Sequence, residues 1–183
     1  MGTRRTDPDR RDRIIDTALD VIAEDGVAGT SHRKVAARAD VPLGSMTYHF
    51  TSMDELLLEA FTRFATGKSR RFDDRMRRAT SWDEACEAVT DIIHLDAITS
   101  QRDLVLVHEL YTLAARLPAY REITRDWMTR SRASLGRAFD PDTCRQVDAL
   151  IEGLTIHRAL DSKPQSRALT LAAVRRLAGP PAD

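Results

Sequence analysis

The sequence predicts an all-α protein of about nine helices, with an N-terminal three-helix unit followed by a larger helical body. Three observations lead there. Aromatic residues make up only 5% of the 183 residues while Ala, Leu and Arg recur throughout, and a pleated surface wants β-branched and aromatic side chains instead. Apolar residues return at helical spacing, and no strand-like alternation persists. Capping residues, prolines and glycines punctuate the chain at helical lengths. With 42% hydrophobic residues, the chain has enough apolar material for a core.

The first helix is expected from about Pro8 to Asp25. Pro8 suits a first turn, Ile14, Ala18, Val21 and Ile22 share a face, and Gly26 is the stop. A short second helix begins near Ser31 and turns Val35, Ala36 and Ala39 inward. Asp40 then falls where the chain must turn, and Asp tolerates left-handed backbone better than most non-glycine residues. A third short helix covers Leu43 to His49. Ser52-Met53-Asp54-Glu55 is a capping box opening a long helix through Leu56, Leu57, Ala60, Phe61 and Phe64 toward Arg78, with Gly67 as a possible break. Ser81-Trp82-Asp83-Glu84 is a second such box, for a helix to about Ile98. Four more helices are expected over 102–117, 118–139, 141–161 and 164–178. Asp140-Pro141 starts the third of these, and Gly179-Pro180-Pro181 ends the last.

Charge is balanced overall, 28 basic against 28 acidic residues, but it is unevenly distributed. Between Gly26 and Ser52 stand Arg33, Lys34 and Arg38 against Asp40 alone, and the arginines of the first thirteen residues outnumber the aspartates. Both stretches carry a modest positive excess, the local signature that matters for a nucleic-acid partner. Cys86 and Cys144 have no paired spacing, so neither a disulfide nor a zinc site is expected. No apolar run reaches membrane-spanning length and Arg4-Arg5 lacks the apolar stretch of a secretion signal, so a cytoplasmic protein is expected.

Two short helices joined by a tight turn, with small residues where they cross, meet the requirement of a helix-turn-helix. Ala36 permits close approach, and Val35, Val41 and Met46 fill the space between the helices. The outer face of the third helix offers Leu43, Ser45, Thr47, Tyr48 and His49, groups suited to phosphates, thymine methyls and base edges, and no Glu or Lys. By pattern alone, an ordinary helical hairpin with a solvated face fits equally well. The choice comes from resemblance. Gly-Ser-Met-Thr-Tyr-His-Phe followed by Ser-Met-Asp-Glu-Leu-Leu resembles the TetR/AcrR family signature, and Thr30 through Val41 resembles that family's second helix and turn.

The resemblance covers about the first 60 residues, and it implies a DNA-binding domain over 1–51 and a ligand-binding and dimerisation domain over 52–183. It places Ser31, Arg33 and Lys34 where the family meets phosphates and sometimes a base, with Arg33 suited to guanine. Leu43, Gly44, Ser45 and Thr47 match groove-facing positions, and Tyr48 and His49 backbone-contacting ones. Asp40 departs from the usual turn glycine, Pro42 from a capping serine, Thr47 from a tyrosine and Met53 from a lysine. The implied function is a ligand-responsive transcription regulator of repressor type. It would bind a pseudo-palindromic operator in double-stranded DNA as a homodimer and be released by a small-molecule effector, with no cofactor, metal, membrane or catalytic role.

The helix over 102–117 is apolar almost all round, as a central buried helix is, yet carries His108, Glu109 and Tyr111. Buried polar groups need partners, so His108 and Tyr111, with His94 and Trp127 on neighbouring helices, are the candidate ligand contacts. Each reads equally as packing. Val147, Leu150, Ile151 and Leu154, then Leu169, Ala172 and Val174, resemble the pair of helices that forms the family's dimer interface. Two other functional classes fit the sequence less well. A helical-bundle enzyme needs paired Glu-x-x-His motifs, and this chain has only Asp91-x-x-His94. A helical small-molecule-binding or scaffold protein would bind DNA weakly and without salt dependence.

Overall fold

The computed structural model describes residues 9–179. Among these are nine α-helices, connected by short turns: α1 (Arg10–Gly29), α2 (His32–Arg38), α3 (Leu43–His49), α4 (Met53–Arg77), α5 (Trp82–Asp91), α6 (Gln101–Arg116), α7 (Pro118–Leu135), α8 (Pro141–Leu160) and α9 (Arg167–Ala178). The arginine-rich arm, the start expected at Pro8 and the Pro180-Pro181 stop lie outside the described residues. No helix among them is long and apolar enough to cross a membrane.

The caps explain most boundaries. Ser31, Ser52, Ser81, Ser100 and Ser166 each accept a hydrogen bond from the backbone N–H three residues on. Both capping boxes differ from the expected reciprocal form. Glu55 reaches back to the N–H and hydroxyl of Thr51, at 2.6 Å each, and Glu84 makes the same pair of contacts to Thr80. Each glutamate so satisfies the residue before the serine, and the threonine bonds hold both carboxyls below the usual glutamate range.

Gly26 stops the first helix as expected, at φ 70° and ψ 170°, and a further turn runs on to Gly29. Other boundaries differ from expectation: α7 ends at Leu135 rather than 139, and α9 starts at Arg167 rather than 164. Gly67, with open space where a Cβ would project, leaves α4 unbroken. The helix expected to Ile98 leaves the α register after Asp91 and continues as a π-helical turn over Ile92–Asp96, a local widening common beside functional sites.

Two apolar cores result. The first joins α1, α2, α3 and the front half of α4 to Leu106, Val107 and Leu110 of α6 and Tyr120 of α7. The second joins the rear of α4 (Phe72, Met76) to α5, the π turn, α8 and α9 through Val89, Ile92, Val147 and Val174. No break in packing falls at residue 51, because Leu56, Leu57, Ala60 and Phe61 share one core with Ile14 and Ile22.

Candidate nucleic-acid interface and ligand cavity

The helix-turn-helix is built by burial on one side only. Val35, Ala36, Ala39, Val41 and Met46 are all buried between α2, α3 and the helices behind them. Asp40 takes left-handed backbone (φ 51°), and the Val41 N–H donates to the Ala36 carbonyl at 3.0 Å to close the turn. With Met46 fully enclosed, α3 presents its opposite face outward. Tyr48 is 84% exposed and Leu43 53%, with Gly44 and Thr47 also exposed and Ser45 and His49 half-buried. The His49 ring meets Tyr48 edge-on at 4.9 Å. Nothing lies within 4 Å of the Cβ that Gly44 lacks, so backbone is open to close approach there.

The cations around this face differ in their commitments. Lys34 donates to Asp25 and to the Gly29 carbonyl, both at 2.8 Å, stitching α2 to the end of α1. Arg38 forms a two-pronged pair with Glu24, and that bond holds the Glu24 carboxyl low. Arg33 is exposed and has no ion pair among the described residues.

A cavity of about 90 Å³ lies where α4, the π turn, α6, α7 and α8 converge. Phe72, Val107, Trp127 and Ile151 supply its apolar wall, and Lys68, Tyr111, Asp148, Glu152 and Thr155 its polar one. Burial, reinforced by the charges of Glu152 and Asp148, pushes the Tyr111 phenol well above its ordinary range. Burial also raises the Asp148 carboxyl, although Arg132 pairs with it at 2.9 Å.

Of the four expected ligand contacts, Tyr111 and Trp127 border this cavity and the two histidines do not. His108, expected to be buried, is exposed, its Nδ1 on the Leu104 carbonyl at 2.8 Å. The apolar stripe of α6 covers less of its circumference than its composition suggests. His94 is bonded through Nε2 to the Thr170 hydroxyl of α9 at 2.9 Å. Asp148, Glu152 and Thr155 were missed. Two carboxylates four residues apart on the apolar α8 were a readable signal for the first two; Thr155 had none.

Contacts run from the cavity to the helix-turn-helix. Lys68 beside the cavity pairs with Asp103 in the first turn of α6 at 2.7 Å. The adjacent Arg102 donates to Asp20 of α1, also at 2.7 Å. Further along α6, Glu109 packs so close to Gly26 that a Cβ there would lie 2.9 Å from its carboxylate oxygen.

Comparison with known proteins follows the same division. A family model described as bacterial regulatory proteins, tetR family, matches residues 14–60, and one described as a tetracyclin repressor-like C-terminal domain matches 80–180. SCO7518 of Streptomyces coelicolor A3(2), described as a transcriptional regulator, is 58% identical, with TM-score 0.88 over 93% of this chain and 99% of that one. The multidrug binding protein EbrR, solved with imidazole, is 34% identical, with TM-score 0.80 over 100% and 96% of the two chains. The nicotine-responsive transcriptional repressor HdnoR of Paenarthrobacter nicotinovorans is 26% identical over 117 residues, which are 64% of this chain and 60% of that repressor. This chain therefore spans less than two thirds of that relative's length.

Proposed function

Because this chain belongs to the TetR family of bacterial regulatory proteins, we propose that it is a ligand-responsive repressor that binds a pseudo-palindromic operator as a homodimer. The observation that carries the reading is the free outer face of α3: Leu43, Gly44, Thr47 and Tyr48 stand in solvent on a helix held rigidly by Met46. In the proposed complex Leu43, Gly44, Ser45 and Thr47 enter the major groove, and Tyr48 and His49 meet the phosphates. Ser31 and Lys34 add backbone contacts, while the uncommitted guanidinium of Arg33 reaches a guanine. Residues 1–51 act as the reading head and 52–183 as the effector and dimer domain, in the cytoplasm and without a membrane partner.

The outward surface of α8 and α9 supports the dimer. Leu160 is 66% exposed and Leu169 58%, and Ala149, Gly153 and Ala172 are exposed beside them. Small residues let two helices approach closely, and exposed leucines next to them supply apolar area. The cavity is the proposed effector site. Its support is the aromatic and polar lining, together with structures of EbrR holding ethidium, proflavin and malachite green. An effector that prefers a splayed dimer shifts the population away from DNA by its differential affinity.

The test is selection of bound fragments from genomic DNA, followed by footprinting and light scattering. The expected result is a protected pseudo-palindrome with half-sites roughly 34–36 Å apart or somewhat more, bound by a dimer with affinity falling steeply as salt rises. No enriched fragment, or a stable monomer at micromolar concentration, overturns the reading.

A further inference from the structure

We infer that the cavity selects an organic ammonium bearing an aromatic group, with Glu152 as its counter-ion and the Thr155 hydroxyl as a second acceptor. The inference rests on the cavity being the effector site and adds the ligand's chemical class.

Pairing the charges around the wall leaves one unmatched. Lys68 is held by Asp103 at 2.7 Å, Asp96 by Arg75 at 2.8 Å and Asp148 by Arg132 at 2.9 Å. Glu152 has no cation within ion-pair distance among the described residues. A half-buried carboxylate on a largely apolar wall is poorly compensated by water and gains most from a cation brought to it. An independent observation lies one turn along α8. Thr155 is 5% exposed, borders the cavity, and its hydroxyl oxygen has no hydrogen-bond partner. Buried hydroxyls are almost always bonded, so this one is suited to a ligand's polar group. At a spacing of three residues, Glu152 and Thr155 share a helix face, and one ammonium N–H can serve each.

The rest of the wall agrees. Tyr111 and Trp127 border the same space, and both ring types attract cations over their faces. The burial that raises the Asp148 carboxyl despite Arg132 shows how little solvent compensates charge here. An anionic ligand would enter beside Glu152 and Asp148 and meet repulsion from both. A neutral one would leave Glu152 with no cation and only the Tyr111 phenol as a hydrogen-bond partner.

The experiment uses the full chain, free of DNA, and calorimetric titration at pH 7 with three probes of one shape: 1-naphthylmethylamine, protonated at that pH, 1-naphthylmethanol and 1-naphthylacetate. The ammonium is expected to bind at least about tenfold more tightly than the alcohol, with the carboxylate weakest, as a charge-assisted hydrogen bond requires. Glu152→Gln should shrink the preference for ammonium over alcohol to within about twofold, and Thr155→Val, which keeps the volume, should weaken the ammonium several-fold. Equal binding of the three probes, binding of none, preference for the carboxylate, or an unchanged preference in folded Glu152→Gln overturns the inference. The wild-type series decides alone should that variant fail to fold. Operator binding by the same preparation separates the two readings. Protein that holds DNA without preferring the ammonium refutes the counter-ion alone, whereas protein that prefers the ammonium but holds no DNA refutes the regulator.

Discussion

Lys68 Nζ lies 2.7 Å from Asp103 Oδ2 in a pair almost closed to solvent, joining the middle of α4 to the first turn of α6 beside the cavity. The Thr99 N–H and hydroxyl donate to the same carboxylate oxygen at 3.1 and 2.7 Å. Burial pushes the Lys68 ammonium below its ordinary range, opposed chiefly by the Asp103 bond and charge and secondarily by the charge of Asp96. Removing one member of such a pair strands the other's charge. Lys68→Met is expected to lower unfolding free energy by about 3 kcal/mol in urea melts, and Lys68→Met with Asp103→Leu should recover part of it. A loss under about 0.5 kcal/mol in the single variant would show the pair to be incidental.

Gly26 carries a second contact between the reading head and α6. Its φ of 70° and ψ of 170° belong to a region essentially reserved for glycine, and a Cβ there would press on Glu109. Gly26→Ala should therefore cost about 1–3 kcal/mol. The double variant with Glu109→Ala separates the two causes. Backbone strain alone predicts no recovery; a side-chain clash predicts substantial recovery in thermal melts.

At the proposed DNA face, stability and function should part. Arg33→Ala is expected to weaken operator binding by about 1–3 kcal/mol, roughly ten- to hundredfold, and to relax selection at one base pair. Tyr48→Ala should weaken all sequences together while leaving the salt slope nearly unchanged, since a neutral phenol neutralises no phosphate. Neither should move the melting temperature by more than a degree or two, since Tyr48 is 84% exposed and Arg33 has no ion pair among the described residues. Gel-shift affinity unchanged in both variants refutes these contacts.

Asp73 provides a pH test. Its carboxylate accepts from Ser134 at 2.7 Å and from Arg137 at 2.6 Å, and it also pairs with Arg77. The Ser134 bond first, then the Arg137 bond, lowers it from an ordinary 3.8 to about 2. A depressed carboxylate stabilises the fold fully above its unfolded value, and that contribution is lost as pH falls from about 3.8 through about 2. Acid titration followed by circular dichroism should show Asp73→Asn less stable at pH 7, with the gap to wild type closing over that window. A gap of constant size would count against the assignment.

Much of the reading head was legible because its determinants are local. Ser31 and, at its border, Ser52 mark helix starts through bonds spanning three residues, Asp40 marks the turn, and Leu43–His49 emerged with the bounds expected. The cavity was less legible. His108 and Tyr111 are three residues apart on α6, yet one ring faces solvent and the other borders the cavity, because α7 and α8 cover only part of that circumference. The π turn over Ile92–Asp96 likewise follows no local pattern of caps.

The amino-acid sequence by itself determined where most helices begin and which face of α3 is apolar, since hydrogen bonds and side-chain periodicity within one turn need only near neighbours. Tertiary structure alone decided which carboxylates acquired a cation from a distant helix. Lys68 meets Asp103 and Arg102 meets Asp20 across 35 and 82 residues, while Glu152 meets none among the described residues. Such pairings depend on how distant helices rotate against one another as they bury their apolar stripes, and that rotation is a property of the assembled core.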